Sequence, residues 1–178
     1  MKKFMAWICV LMLIVILTSC GKQQSQEELE AWEAKEIKEL HSIAALTFYD
    51  PNGKSFQLGD PFLSGRPIVL HCWATRFPES TASLKEFEKA YQEYGDEVVF
   101  LMVNAFNGTE DTMEDAVAYI EQKGYTVPVV YDRQEEMKSR NITNFPYTVY
   151  INGSLEAVHI RNTNLSAVEI GKLIEDIL

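Results

Sequence analysis

The order of apolar and amphipathic segments along this chain leaves few possible folds. Three short apolar runs are predicted to be strands, PIVLHCW, VVFLMVN and VPVVYD, and the first two are apolar enough to be buried on both faces. Helical patterns with one apolar side follow the first two runs, at about residues 80–94 and 113–123. Because alternating strands and helices form a central sheet covered by helices, this order predicts a layered α/β fold.

Two predicted hairpins flank this alternation. LTFYDPNGKSFQL has PNG as its turn, and near the C-terminus YTVYI and SLEAVHIR are joined by NG. Thr112 is a predicted N-cap for the helix at 113–123, RQEEMKSR is a predicted short helix, and Ser166 opens a final helix. The pattern predicts a domain over residues 44–178 that begins with a β-hairpin.

The first twenty residues have the features of a secretion signal. MKK is followed by the apolar run FMAWICVLMLIVIL and then by LTSC. LTSC resembles the bacterial lipobox, which implies cleavage after residue 19 and lipidation of Cys20. An uncleaved membrane anchor is the alternative, although the apolar run is short for a spanning helix. Either interpretation predicts an extracytoplasmic membrane protein, on the outer face of the cytoplasmic membrane or on the outer membrane of a cell that has one.

Residues 20–43 connect this signal to the domain. The segment begins polar, and apolar residues then recur at roughly helical spacing from Leu29 to Ile43 among many charges. Two interpretations stay open: a lipidated tether followed by a helix over about 27–43, or a solvated, partly ordered spacer.

Charge and motif content exclude several classes of function. The net charge is −10 and no basic cluster occurs, which argues against nucleic-acid binding and against electrostatic docking on anionic lipid. No Gly-rich nucleotide loop or zinc-protease motif is present, and His41, His71 and His159 are too far apart in sequence to indicate a metal cluster. We therefore expect no cofactor and no metal, and predict surface or packing roles for the histidines.

Two separated segments resemble one known family. GRPIVLHCWATRFPES is similar to the active-site region of thioredoxin-like proteins, and in particular to the TlpA-like membrane-anchored thiol–disulfide oxidoreductases. In that family Trp-Ala-Thr-Trp-Cys-Pro-Pro-Cys occupies the positions that begin at Trp73 here. NITNFPYTVYINGSLEAV resembles the family's cis-proline segment, with Pro146 at the cis-proline position. The resemblance implies a thioredoxin-like fold over about 44–178: a central mixed sheet flanked by helices, with an N-terminal hairpin.

The chain departs from this family at the residues that carry its chemistry. Phe77 and Ser80 stand at the two cysteine positions, Arg76 replaces the second tryptophan, and Glu79 replaces the second proline. Thiol–disulfide exchange needs a thiolate at a helix N-terminus and a second thiol to resolve the mixed disulfide. Neither replacement supplies one, so no catalytic residue is predicted. The Thr-x-x-Cys pattern of the related peroxiredoxins is also missing.

Cys72 is the remaining cysteine of the predicted domain. It lies within the strand PIVLHCW, where alternation places it with apolar residues, so we expect a buried thiol with a raised pKa and little reactivity. The alternative is a lone thiol that forms mixed or intermolecular disulfides.

The family resemblance also implies a recognition surface that needs no sulfur. In thioredoxin-like proteins the cis-proline loop faces the helix start and pairs with an extended substrate segment. The residues at these positions here are Arg76, Phe77, Glu79, Phe145, Pro146 and Tyr147. They predict either a surface for a peptide or protein partner, or two phenylalanines packed over an inactive site.

Three functions therefore stand beside one another. The leading hypothesis is a lipid-anchored, redox-inactive thioredoxin-like protein that binds a peptide or protein partner. The second is a thiol–disulfide oxidoreductase that acts through Cys72 or with a partner's thiols. The third is a structural subunit of an envelope complex that makes contact through the helix at 27–43.

Overall fold

A computed structural model describes residues 25–37, 43–60, 63, 65–133 and 135–178. Residues up to Glu39 and residues from Leu40 onward form two separate units. In the first unit, residues 25–37 form a helix, α1. The signal sequence, Cys20 and the predicted helical residues 38–42 lie outside the described residues. None of the helices in the described ranges is long and apolar enough to cross a membrane.

The second unit contains one seven-stranded mixed sheet. Its strands are β1 (Thr47–Tyr49), β2 (Ser55–Gln57), β3 (Ile68–Trp73), β4 (Val99–Asn104), β5 (Val129–Tyr131), β6 (Tyr147–Ile151) and β7 (Ala157–Arg161). Their order across the sheet is β2-β1-β5-β4-β3-β6-β7. β3, β4 and β5 are parallel, whereas β1–β2, β1–β5, β3–β6 and β6–β7 are antiparallel pairs. The predicted α/β fold with an N-terminal hairpin is confirmed.

Four helices follow the strands in the expected order. They are α2 (Pro78–Tyr94), α3 (Met113–Lys123), α4 (Glu136–Ser139) and α5 (Ala167–Glu175). Helix α2 begins two residues before the predicted start, because Pro78 fits the first helical turn, where its missing N–H costs no hydrogen bond. Thr112 and Ser166 are N-caps, each in a capping box, as their side chains predicted.

The main core lies on one face of the sheet. Helices α2, α3 and α5 pack there through apolar side chains that include Leu84, Ala116 and Ile174, against Trp73 of β3. Every residue of β3 is buried, as its apolar sequence predicted. Because successive side chains of a strand point to opposite faces, Cys72 faces away from this core, and its Sγ contacts Met137 of α4.

Three loops meet at one edge of the sheet. The parallel strands β3 and β4 end at the same edge, so the β3–α2 turn (residues 74–77) and the β4–α3 loop (105–112) are neighbours. Strand β6 runs antiparallel to β3 and starts beside Cys72, which brings the α4–β6 loop (140–146) to the same place. The residues that the sequence predicts for a recognition surface lie in or next to the first and third of these loops.

Candidate functional site

Ser80, at the second family cysteine position, is a structural residue of the β3–α2 turn. Its side chain is fully buried. The Oγ atom accepts a hydrogen bond from the Ala74 N–H at 3.1 Å and donates toward the carbonyl oxygens of Ala74 and Phe77, each 2.9 Å away. No basic side chain is among these partners. The hydroxyl therefore fastens the turn to the first helical residues and is not activated as a nucleophile.

Phe77, at the first family cysteine position, is the N-cap residue of α2 and caps no backbone group with its side chain. Its ring packs edge-on against Phe145, with 5.7 Å between centroids. The Arg76 guanidinium lies over both rings, 4.9 Å from the Phe77 centroid and 5.9 Å from that of Phe145. The Phe77 ring therefore stands at the first cysteine position, with a second ring and a cation packed against it.

Arg76 is held in place by a carboxylate that the sequence analysis did not single out. Its Nη1 donates to Asp111 Oδ1 at 2.8 Å and to the Ala105 carbonyl oxygen at 2.9 Å. The Asp111 carboxylate is almost fully buried and also accepts from the Thr75 hydroxyl at 3.2 Å and from the Asn107 N–H at 2.9 Å. Asp111 therefore ties the β4–α3 loop to the β3–α2 turn.

A signal for Asp111 was present in the sequence. Acidic side chains near Thr112 suit the positive end of the α3 dipole, and Asp115 fills that role through the capping box. Arg76 stands where the family has a tryptophan, so a cation occupies a position that holds a large ring in the family. Such a cation needs a nearby carboxylate, and the next loop supplies Asp111.

The cis-proline position is occupied as the resemblance implied. The Phe145–Pro146 peptide bond is cis. Asn144 and Phe145 make no backbone hydrogen bond within the described part of the chain. The main chain before Pro146 therefore keeps hydrogen-bonding groups without a backbone partner among the described residues.

The residues predicted for a recognition surface differ in exposure. Glu79 is exposed, and Arg76 and Phe77 are partly exposed, whereas Phe145, Pro146 and Tyr147 are buried. Tyr147 is buried because it begins β6, an interior strand between β3 and β7. The accessible part of the surface is therefore smaller than the sequence predicted, and Phe77 does pack on Phe145.

Cys72 is buried as predicted. Its Sγ lies 3.2 Å from Met137 Sδ. Burial raises the pKa of the Cys72 thiol well above its usual value, and the negative charge of Asp132 raises it further. A raised pKa keeps the sulfur protonated at neutral pH and lowers its reactivity.

The two described histidines have structural contacts. His71 is buried, with its ring nitrogens 2.9 Å from Thr148 Oγ1 and 2.7 Å from Ser83 Oγ, and burial lowers its pKa to about 3. His159 lies 3.0 Å from Asp176 Oδ2. His41 is outside the described residues, and no group of three metal-binding side chains occurs within them.

The comparison with known families agrees with this architecture. The model of the AhpC/TSA family matches residues 28–151. This chain belongs to the AhpC/TSA family. The match covers the sheet from β1 to β6, together with all three loops of the site.

Named relatives of this AhpC/TSA chain are thioredoxin-like proteins. The thioredoxin-like protein YneN of Bacillus subtilis is 23% identical over 162 residues, which cover 90% of this chain and 91% of that protein. The thiol–disulfide oxidoreductase ResA of Oceanobacillus iheyensis is 30% identical over 105 residues, which cover 57% of this chain and 52% of ResA.

Solved structures show the same fold. StoA from Bacillus subtilis superposes with a TM-score of 0.62 at 21% identity and covers 74% of this chain and 96% of StoA. The exposed lipoprotein thioredoxin Etrx1 from Streptococcus pneumoniae has a TM-score of 0.63 at 20% identity and covers 75% of this chain and 99% of Etrx1. The inferred similarity to thioredoxin-like thiol–disulfide oxidoreductases is confirmed at the level of family and fold.

Proposed function

We propose that this AhpC/TSA chain binds an extended segment of a partner protein at the edge of the sheet, without exchanging disulfides itself. The binding surface consists of the β3–α2 turn, the β4–α3 loop and the α4–β6 loop. The proposal rests on the two residues that stand where the family has cysteines: Phe77 is packed on Phe145, and Ser80 is hydrogen-bonded within its own turn.

Redox chemistry has no reactive sulfur at this site. A phenyl ring is neither a nucleophile nor a leaving group, and the Ser80 hydroxyl has only backbone partners. The Cys72 sulfur is on the opposite face of the sheet from α2, against Met137. These three observations favour binding over catalysis.

Backbone pairing gives the site a way to bind. The main chain of Asn144 and Phe145 makes no backbone hydrogen bond within the described residues, so it can pair with an extended partner segment, by the same hydrogen bonding that adds a strand to an exposed sheet edge. Phe77 and Arg76, both partly exposed beside this main chain, supply aromatic and cationic contacts of the kind that concentrate binding energy.

Selection of peptides on the purified protein tests the proposal. A phage-displayed library of random decapeptides is selected on the full chain in mild detergent and on a Phe77→Asp variant. We expect wild-type protein to enrich specific peptides, and Phe77→Asp to weaken their binding at least about tenfold, because it places a charge against Phe145. Val168→Asp is the matched control, since Val168 is 69% exposed on α5 and should leave binding unchanged. Failure of wild-type protein to enrich any peptide would reject the proposal.

We further propose that the chain is a lipoprotein outside the cytoplasm. LTSC has the lipobox pattern, and the structurally similar Etrx1 is described as an exposed lipoprotein. Labelling cells with an alkyne fatty acid should tag the wild-type chain and leave a Cys20→Ser variant untagged. Equal labelling of both would reject lipidation at Cys20.

A thiol–disulfide oxidoreductase is the second candidate function, because the named relatives include two ResA proteins with this activity in their names. Here the reaction would use Cys72 or the thiols of a partner. Insulin reduction by dithiothreitol, measured with wild-type protein and Cys72→Ser, separates the candidates. We expect no acceleration by either protein. An acceleration that is lost in Cys72→Ser would replace the binding proposal with this one.

A further inference from the structure

A cavity of about 250 Å³ lies beside the α4–β6 loop, where Asn144 and Phe145 make no backbone hydrogen bond within the described part of the chain. It opens between the β4–α3 loop, helix α4 and the α4–β6 loop. Its lining combines charged side chains, Arg76, Asp132, Glu135 and Lys138, with a set of apolar ones. We name this space the side cavity. A strand paired with Asn144 and Phe145 would pass along it and present side chains toward it.

The base of the side cavity is apolar. Ala105, Met137, Ile142 and Phe145 are each at most 9% exposed, and Phe106 adds a partly buried ring. Dry apolar cavities of about 150 Å³ hold a benzene molecule in other proteins. A space of 250 Å³ is therefore sufficient for one leucine, methionine or phenylalanine side chain.

The charged groups of the side cavity are already partnered. Glu135 and Lys138 form an ion pair at 3.0 Å, and Arg76 is paired with Asp111 at 2.8 Å. The Asp132 carboxylate accepts the N–H groups of Glu136 and Met137 at 2.8 and 2.9 Å. A charged ligand group would compete with these contacts and lose its own hydration, whereas an apolar group has no hydrogen bonds to water to give up.

From the apolar base, the size and the paired charges, we propose that the partner segment inserts one large apolar side chain into the side cavity. This inference rests on the proposed binding function and specifies which segments the site selects. The main chain of the α4–β6 loop provides general affinity for a strand, and the side cavity provides the sequence preference.

The same decapeptide selection tests the inference through residue preference. Peptides enriched on the wild-type chain should share leucine, methionine or phenylalanine at one position. Synthetic copies with alanine there should bind at least about tenfold more weakly, because the buried apolar area is lost. The measurement is fluorescence anisotropy with labelled peptides and the full chain in mild detergent.

Two substitutions and a control link this preference to the side cavity. Thr143→Trp fills the cavity from its exposed rim and should abolish the preference, and Phe106→Ala enlarges the cavity and should shift it toward tryptophan. Ser139→Trp, on an exposed face of α4 outside the lining, should leave it unchanged. Enriched peptides without an apolar preference, or an identical preference in both cavity variants, would overturn the inference alone. Absence of any enriched peptide would overturn the binding function as well.

Discussion

At the residue scale, the Ser80 hydroxyl closes the β3–α2 turn through hydrogen bonds to Ala74 and Phe77. Ser80 is the third residue of α2, at the family's second cysteine position, and Phe77 is the N-cap residue of the same helix. Phe77 lies at the positive end of that helix, where a thiolate would be stabilised. The backbone of a redox site is thus present without its sulfur.

The double variant Phe77→Cys/Ser80→Cys should therefore acquire thiol–disulfide chemistry. We expect the two thiols to form an intramolecular disulfide and the protein to accelerate insulin reduction well above the wild-type background, because the helix N-terminus lowers the pKa of a cysteine at 77. Thiol titration with and without reductant measures the disulfide. The single variant Ser80→Cys is the control and should stay inactive. A double variant that keeps two free thiols after oxidation would contradict this account of the turn.

The buried Asp111 carboxylate is the second residue with a measurable role. Asp111→Asn removes the closer and buried carboxylate partner of Arg76, whose side chain is 18% exposed, and leaves only the exposed Glu110 carboxylate, 4.0 Å away. We expect the free energy of unfolding to fall by about 2 kcal/mol, below the 3–5 kcal/mol of a fully buried pair, because solvent partly screens the arginine. Urea denaturation measures the change. In a double-mutant cycle with Arg76→Met, the two losses should not add; simple additivity would exclude the coupling.

At the element scale, local sequence signals located most helices and strands correctly. Thr112 and Ser166 marked helix starts because a side-chain oxygen followed by an acidic residue at the third position makes a capping box, which is a local interaction. The length of α2 was underestimated at its start, where the structure includes Pro78. Helix α1 covers residues 25–37, so it begins two residues before the helix predicted at about 27–43, whose residues 38–42 lie outside the described residues. Ile43–Ala45 form a short 3₁₀ turn.

The cap of α5 should contribute to the stability of the domain. Ser166→Ala removes the oxygen that accepts the Glu169 N–H, so we expect the free energy of unfolding to fall by about 1 kcal/mol. Ser154→Ala, at an exposed turn, is the control, and its midpoint in urea should not move. Equal midpoints for Ser166→Ala and wild-type protein would show that the capping box adds no stability.

At the scale of the whole molecule, the buried His71 ring links folding to pH. Burial lowers the folded-state pKa of His71 to about 3, from a usual value of 6.5. The unfolded chain therefore binds a proton between these values when the folded chain does not. It follows that His71 favours folding above pH 6.5, and that this contribution is lost as the pH falls toward 3.

Stability should fall between pH 6.5 and 5, before most carboxylates titrate. We expect a slope approaching about 1.4 kcal/mol per pH unit at the acidic end of this window, since one proton is taken up on unfolding. Urea denaturation at several pH values measures it. A His71→Asn variant should lose this slope, whereas a His159→Asn variant should keep it. A wild-type stability that is flat across the window would show that His71 is protonated in the folded state.

Local sequence accounts for the α/β order, the hairpins, the helix caps and the absence of cysteines at the two family positions, because each is recorded in neighbouring residues or in one short motif. Three further features depend on the tertiary fold: Asp111 pairs with Arg76, Phe145 and Tyr147 are buried, and Cys72 contacts Met137. Arg76 and Asp111 are 35 positions apart in the sequence, and Cys72 and Met137 are 65 positions apart. Their partners are set by how strands and loops meet in space, which local patterns do not encode.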